Sequence, residues 1–147
     1  MNRHAALARL ARSGVRMDGQ LVADIGSRLA RDGAIYGFAI ELYITSEPDG
    51  IAPSETLWVN IDGTSTSGFG HNVSGREGRA AEQADIAEWV QDNVFDDMRI
   101  SSWPECPTHT GEPMIAWSFD GDPEPYWVCR SSAVRIPIGS HPGAAKR

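Results

Sequence analysis

The sequence predicts an α+β domain: an antiparallel sheet packed with two or three helices, plus a C-terminal module of short β-hairpins. Three observations carry this. Ile86, Val90, Val94 and Met98 step by four, the stripe of one long helix. Two runs rich in β-branched and aromatic residues, 34–46 and 56–61, flank the turn-prone Glu47-Pro48-Asp49-Gly50, which reads as a hairpin. After Trp103, frequent Pro and Gly cut the chain into strand-length pieces. A chain of 147 residues fits one domain with one core, so 1–147 is taken as a single unit: a helix and sheet core over 1–100, the hairpin module over 101–139 and a mobile tail over 140–147.

The elements follow in order. Residues 3–13 are rich in Ala, Leu and Arg and read as a short basic helix. Asp18 stands as the N-cap of a second helix over 19–32, where Leu21, Val22, Ile25 and Leu29 recur at helical spacing and Asp32-Gly33 is the stop. Two strands joined by so short a link pair antiparallel. Residues 62–75 are Gly- and Ser-rich, a loop or a loop with a short edge strand near Phe69. Ser74 and Glu77 have capping-box spacing, so the long helix is expected over about 77–98. Its outward face carries Glu82, Asp85, Glu88, Asp92 and Asp96. Strands are expected at 114–119, 125–130 and 133–138, the first two joined by a turn at Asp120-Gly121-Asp122-Pro123. Of Trp58, Trp89, Trp103, Trp117 and Trp127, four are expected in the core, with Trp103 and Trp127 walling the hairpins.

The formal net charge is −7, unevenly spread. Six arginines stand against Asp18 and Asp24 in residues 1–31, while residues 41–99 hold twelve acids against Arg76, Arg79 and Arg99. An acidic body repels phosphate backbones and favours basic protein partners. No stretch approaches the roughly 20 apolar residues of a membrane span, and the N-terminus lacks the apolar core of a secretory signal. With two cysteines and no signal, a cytoplasmic protein is expected.

Both cysteines lie in one informative stretch. Cys106-Pro107-Thr108-His109-Thr110-Gly111 places two metal-ligating residue types on a tight turn, with Cys129 nineteen residues beyond His109. Two ligands separated by two residues can face one ion, and four complete a zinc tetrahedron. Cys106, His109 and Cys129 are the candidate ligands; His141 is the candidate fourth, with Glu105 and Glu112 as carboxylate alternatives, and Ser132 a poor substitute. Three readings stay open: a zinc site, a degenerate turn that kept its hairpin without the ion, and a Cys106–Cys129 disulfide. The pattern Trp103-Pro104-x-Cys106-Pro107-x-His109, then Trp127-x-Cys129 and a strand ending at Gly139, resembles small bacterial proteins of unassigned function with a degenerate zinc-ribbon-like C-terminal module. The resemblance covers about the last 65 residues, and it implies a shared module and no activity. Arg130 stands where that pattern commonly has Pro.

Enzyme signatures are missing. The sequence has no Gly-x-Ser-x-Gly elbow, no P-loop (Lys146 is the sole lysine), no His-Glu-x-x-His and no deaminase-type Cys-x-x-Cys. Gly68-Phe69-Gly70 lacks the frame of a dinucleotide fingerprint. Glu41 is expected on a solvent face, Asp96-Asp97 at a solvated helix end and His71 in a surface loop. The expected function is a non-enzymatic protein-interaction factor (adaptor, inhibitor or immunity-type protein) that presents its acidic helix to a partner. The alternatives are a zinc-ribbon-type nucleic-acid binder using the basic N-terminal helix, and a small enzyme with a site at the 62–75 loop.

Overall fold

The computed structural model describes residues 17–49, 52–69 and 77–143. The expected basic helix at 3–13, His71 and the Ser74 cap lie outside the described residues. Helix α1 spans Gly19–Ile35 and opens as expected, with the Asp18 carboxylate accepting the amides of Gln20 and Leu21 at 3.0 and 3.1 Å. It runs three residues past the expected stop. Gly33 is required there because a Cβ would come within 2.9 Å of the Ile40 side chain and 3.1 Å of the Phe38 carbonyl.

Strand β1 (Ile40–Asp49) therefore starts later than the sequence suggests, after a turn at 36–39, and pairs antiparallel with β2 (Ala52–Ile61). Its register sets Ile40 opposite Ile61, Leu42 opposite Val59 and Ile44 opposite Leu57 on the core face. Tyr43 and Trp58 stack on the other face with planes 6° apart. Glu41 is exposed, as alternation requires. A short edge strand, β3 (Thr64–Ser67), joins β2 just before Phe69.

Helix α2 spans Arg79–Met98. Its N-cap is Gly78, with no side-chain cap bond, so the helix begins later than the capping-box spacing implies. Ile86, Val90 and Val94 are fully buried. Gln83 ties the helices together, its side-chain amide donating to the Leu21 carbonyl at 3.2 Å and to the Asp24 carboxylate at 2.9 Å. Beyond α2 come β4 (Glu105–Cys106), β5 (His109–Pro113), β6 (Ile115–Ser118), β7 (Pro125–Val128) and β8 (Arg135–Pro137). They form a two-stranded β4-β5 sheet and a three-stranded β6-β7-β8 sheet, both antiparallel. One apolar core runs from α1 and the first sheet through α2 to Trp103, Met114 and Trp127.

Two expectations are corrected here. Residues 140–143 of the expected tail dock on the body: His141 and Gly143 are buried, and the amides of Gly139 and His141 donate to the Asp32 carboxylate, while 144–147 lie outside the described residues. Only Trp103 and Trp127 are fully buried; Trp58, on the β2 face away from the core, and Trp89, on α2, are partly covered, and Trp117 is 43 % exposed because alternation along β6 turns Ala116 inward instead. Among the described residues no helix is long and apolar enough to cross a membrane.

Candidate metal centre and the acidic face

The turn from β4 to β5 is held from beneath by three side chains. Gln91, buried on α2, donates its amide to the carbonyls of Trp103 (2.8 Å) and Met114 (2.6 Å), the two flanks of the turn. Tyr36 accepts the Glu105 amide at 2.9 Å, and His141 Nε2–H donates to the Glu105 carbonyl at 2.7 Å. Trp103 and Trp127 meet edge-on at 5.6 Å and wall the base. Both indoles reach Asp32: Trp103 donates to its carbonyl at 3.2 Å and Trp127 to its carboxylate at 2.8 Å. Asp32 is thus a fully buried carboxylate whose charge is met by one indole and two backbone amides. Sequence reading missed this role, since Asp32-Gly33 has the form of an ordinary helix stop.

Above this base, Cys106 Sγ, His109 Nδ1 and Cys129 Sγ all lie within 4.8 Å of one another. The nitrogen is 3.6 Å from the Cys106 sulfur and 3.4 Å from the Cys129 sulfur. Cys129 arrives from the end of β7, its amide donating to the Val134 carbonyl at 3.0 Å. Both sulfurs are free thiols and buried, while His109 is half-buried. The Cys106 thiol is desolvated, which raises its pKa. That effect is outweighed by the Thr108 hydroxyl, the Thr108 and His109 amides and the Cys129 thiol, so the net shift is downward.

The sequence-derived fourth ligand is not there. His141 spends both ring nitrogens on backbone, Nε2–H on the Glu105 carbonyl and Nδ1 on the Gly143 amide at 3.0 Å. Burial pushes its pKa down, against the raising effects of that carbonyl and of the Asp32 and Glu105 charges. The Glu112 carboxylate accepts the Ser131 hydroxyl at 2.6 Å, and Ser132 Oγ accepts the Val134 amide. Glu105 is buried with Oε1 unpartnered among the described residues, outside the Cys–His–Cys group.

The acidic stripe of α2 is narrower than its sequence spacing implies. Glu88, Asp92 and Asp96 are exposed and Glu82 is half-buried, but Asp85 is only 4 % exposed. Asp85 lies on the same helical face as Asp92, two turns on, but the first half of α2 is covered nearly all round, with Ala81, Gln83, Ala84 and Ile86 buried beside it. Partial burial raises the Asp92 pKa, and the Asp96 charge one turn on raises it further. Beside this stripe lies a groove of about 380 Å³ between α2 and β5–β6. Its lining carries the carboxylates Glu88, Asp92 and Glu112 and the apolar Phe95, Met114 and Ile115, and among the described residues Arg130 is its one cation. A second cleft of about 490 Å³, between the start of α2 and the 118–123 turn, is lined among the described residues by no Cys or His. No family model, curated protein or solved structure matches the chain.

Proposed function

We propose that this chain is a non-enzymatic protein-interaction factor that receives a basic, partly apolar segment of a partner along α2. The observation that carries the reading is the groove just described, with three carboxylates around apolar side chains. Partial burial, and secondly the Asp96 charge one turn on, raise the Asp92 pKa, and an incoming cation offsets both by favouring the ionised carboxylate. The chain carries a formal net charge of −7, with twelve acids against three arginines over residues 41–99. That balance favours a basic protein over nucleic acid. A reducing cytoplasmic setting, in which both cysteines stay thiols, and kinship with the small bacterial proteins that share the Trp-Pro-x-Cys-Pro-x-His pattern belong to the same proposal.

The test compares affinity capture by the wild-type chain with capture by a folded Glu88→Lys/Asp92→Lys/Asp96→Lys variant. A partner held by the wild type, lost by the variant and released by moderate salt supports the reading. Equal recovery by both chains overturns it. The Cys–His–Cys cluster favours the nucleic-acid alternative. That alternative requires a low-salt gel shift that weakens steeply as salt rises. The enzyme reading rests on His71 and the 62–75 loop, of which residues 70–75 lie outside the described residues.

A further inference from the structure

We propose that Cys106, His109 and Cys129 bind one zinc ion, with its fourth position filled by solvent and open to an external donor. The proposal is independent of the acidic-face reading. Zinc bonds of about 2.3 Å to sulfur and about 2.0 Å to nitrogen set tetrahedral edges near 3.5 Å between S and N. The two S···N separations, 3.6 and 3.4 Å, bracket that edge, and all three donor atoms lie within 4.8 Å of one another. The donors therefore stand where a single ion reaches all three without rebuilding the turn.

Charge explains why this group suits a divalent ion. Binding expels a proton from each thiol, and two thiolates then cancel the charge of Zn²⁺, while neutral imidazole and water add none. A neutral cluster is compatible with the full burial of both sulfurs, whereas two bare thiolates there are not. The Thr108 hydroxyl lies 3.3 Å from the Cys106 sulfur and donates to it once that sulfur is a thiolate. Two thiolates with an imidazole select zinc over magnesium or calcium, which take oxygen donors.

The open position follows from the neighbours. Among the described residues the group of His, Cys, Asp and Glu donors stops at three. His141, Glu112 and Ser132 are each engaged elsewhere. His109 is only half-buried, and Thr108 and Thr110 beside it and Arg130 beside Cys129 are exposed, which leaves the cluster close to the surface.

The test uses the full-length reduced chain without an affinity tag. Elemental analysis is expected to find close to one zinc per chain. Cys106→Ser, Cys129→Ser and His109→Gln are each expected to weaken zinc binding at least about a hundredfold, with folding checked by circular dichroism. Cobalt loaded into the wild-type protein reads the donors without any substitution. It is expected to give a tetrahedral visible spectrum with thiolate-to-metal charge transfer. Saturating 2-mercaptoethanol is expected to raise that band by about half as a third thiolate enters. A folded, reduced wild-type chain that takes up less than about a tenth of an equivalent of zinc overturns the site. A charge-transfer band unchanged by the added thiol overturns the open position.

Discussion

β1 and β2 pair over ten residues each, whereas no strand after Trp103 exceeds five. The first hairpin holds itself by a long backbone ladder and by alternation, with Leu57, Val59 and Ile61 all pointing into the core. The later arm has too little ladder to stand alone. It is tied down by buried polar side chains of the helices, Asp32 and Gln91 above all, acting on the arm's amides, carbonyls and an indole. Long strands buy order through repetition; short ones need specific clamps. The arm is also where chemistry collects, since brief strands and turns bring side chains from distant positions to one point.

Four measurements press on that contrast. Asp32→Ala should have the largest effect. It strands the Trp127 indole and the Gly139 and His141 amides, each loss costing about 1–3 kcal/mol, for a total of at least about 3 kcal/mol by urea denaturation. A loss below about 1 kcal/mol would mean the arm does not depend on its clamp. Gln91→Ala should follow, at about 2–3 kcal/mol, because it leaves the Trp103 and Met114 carbonyls buried without partners. If zinc binds, this variant should also lower the affinity about tenfold by loosening the turn.

Val59→Ala, in the hairpin, should cost about 2 kcal/mol through lost burial and a small cavity. It should leave metal affinity unchanged, and a matching fall in zinc uptake would erase the distinction between the two regions. The smallest effect is expected from pH. Burial depresses the folded-state pKa of His141, so below about 6.5 the unfolded chain binds the extra proton first. The stability contribution is therefore full above that pH and is lost as pH falls toward the folded value. Urea midpoints should decline from pH 7.5 to 5.5 in the wild type, and less steeply in His141→Gln. Parallel slopes would remove His141 as the cause.

Much of the helix and hairpin framework was legible in the sequence. The Asp18 cap, the α1 stripe, the α2 stripe and the paired runs around residue 50 are signals spread over a few turns or one hairpin. Boundaries drifted where local cues competed. The Ser74–Glu77 spacing suggested an early start, but α2 begins at Arg79. Asp85 shares its spacing with the exposed acids, yet it is buried, because the first half of α2 is covered nearly all round. At the candidate centre, the Cys106–His109 turn was readable because both ligands share one short segment. The role of His141 was not, since its ring is claimed by the Glu105 carbonyl, 36 residues away in sequence.

The amino-acid sequence by itself determined the helices, the first hairpin, the acidic balance and the pairing of Cys106 with His109 on one turn. Each depends on periodicity, capping or composition within a short span. Only the tertiary structure decided that Cys129 joins that turn, that Asp32 anchors Gly139 and His141 and that Asp85 leaves the surface. Asp32 and the Gly139 amide are 107 residues apart. A buried polar contact at that distance is fixed by the packing of the whole core, which leaves no local pattern to read.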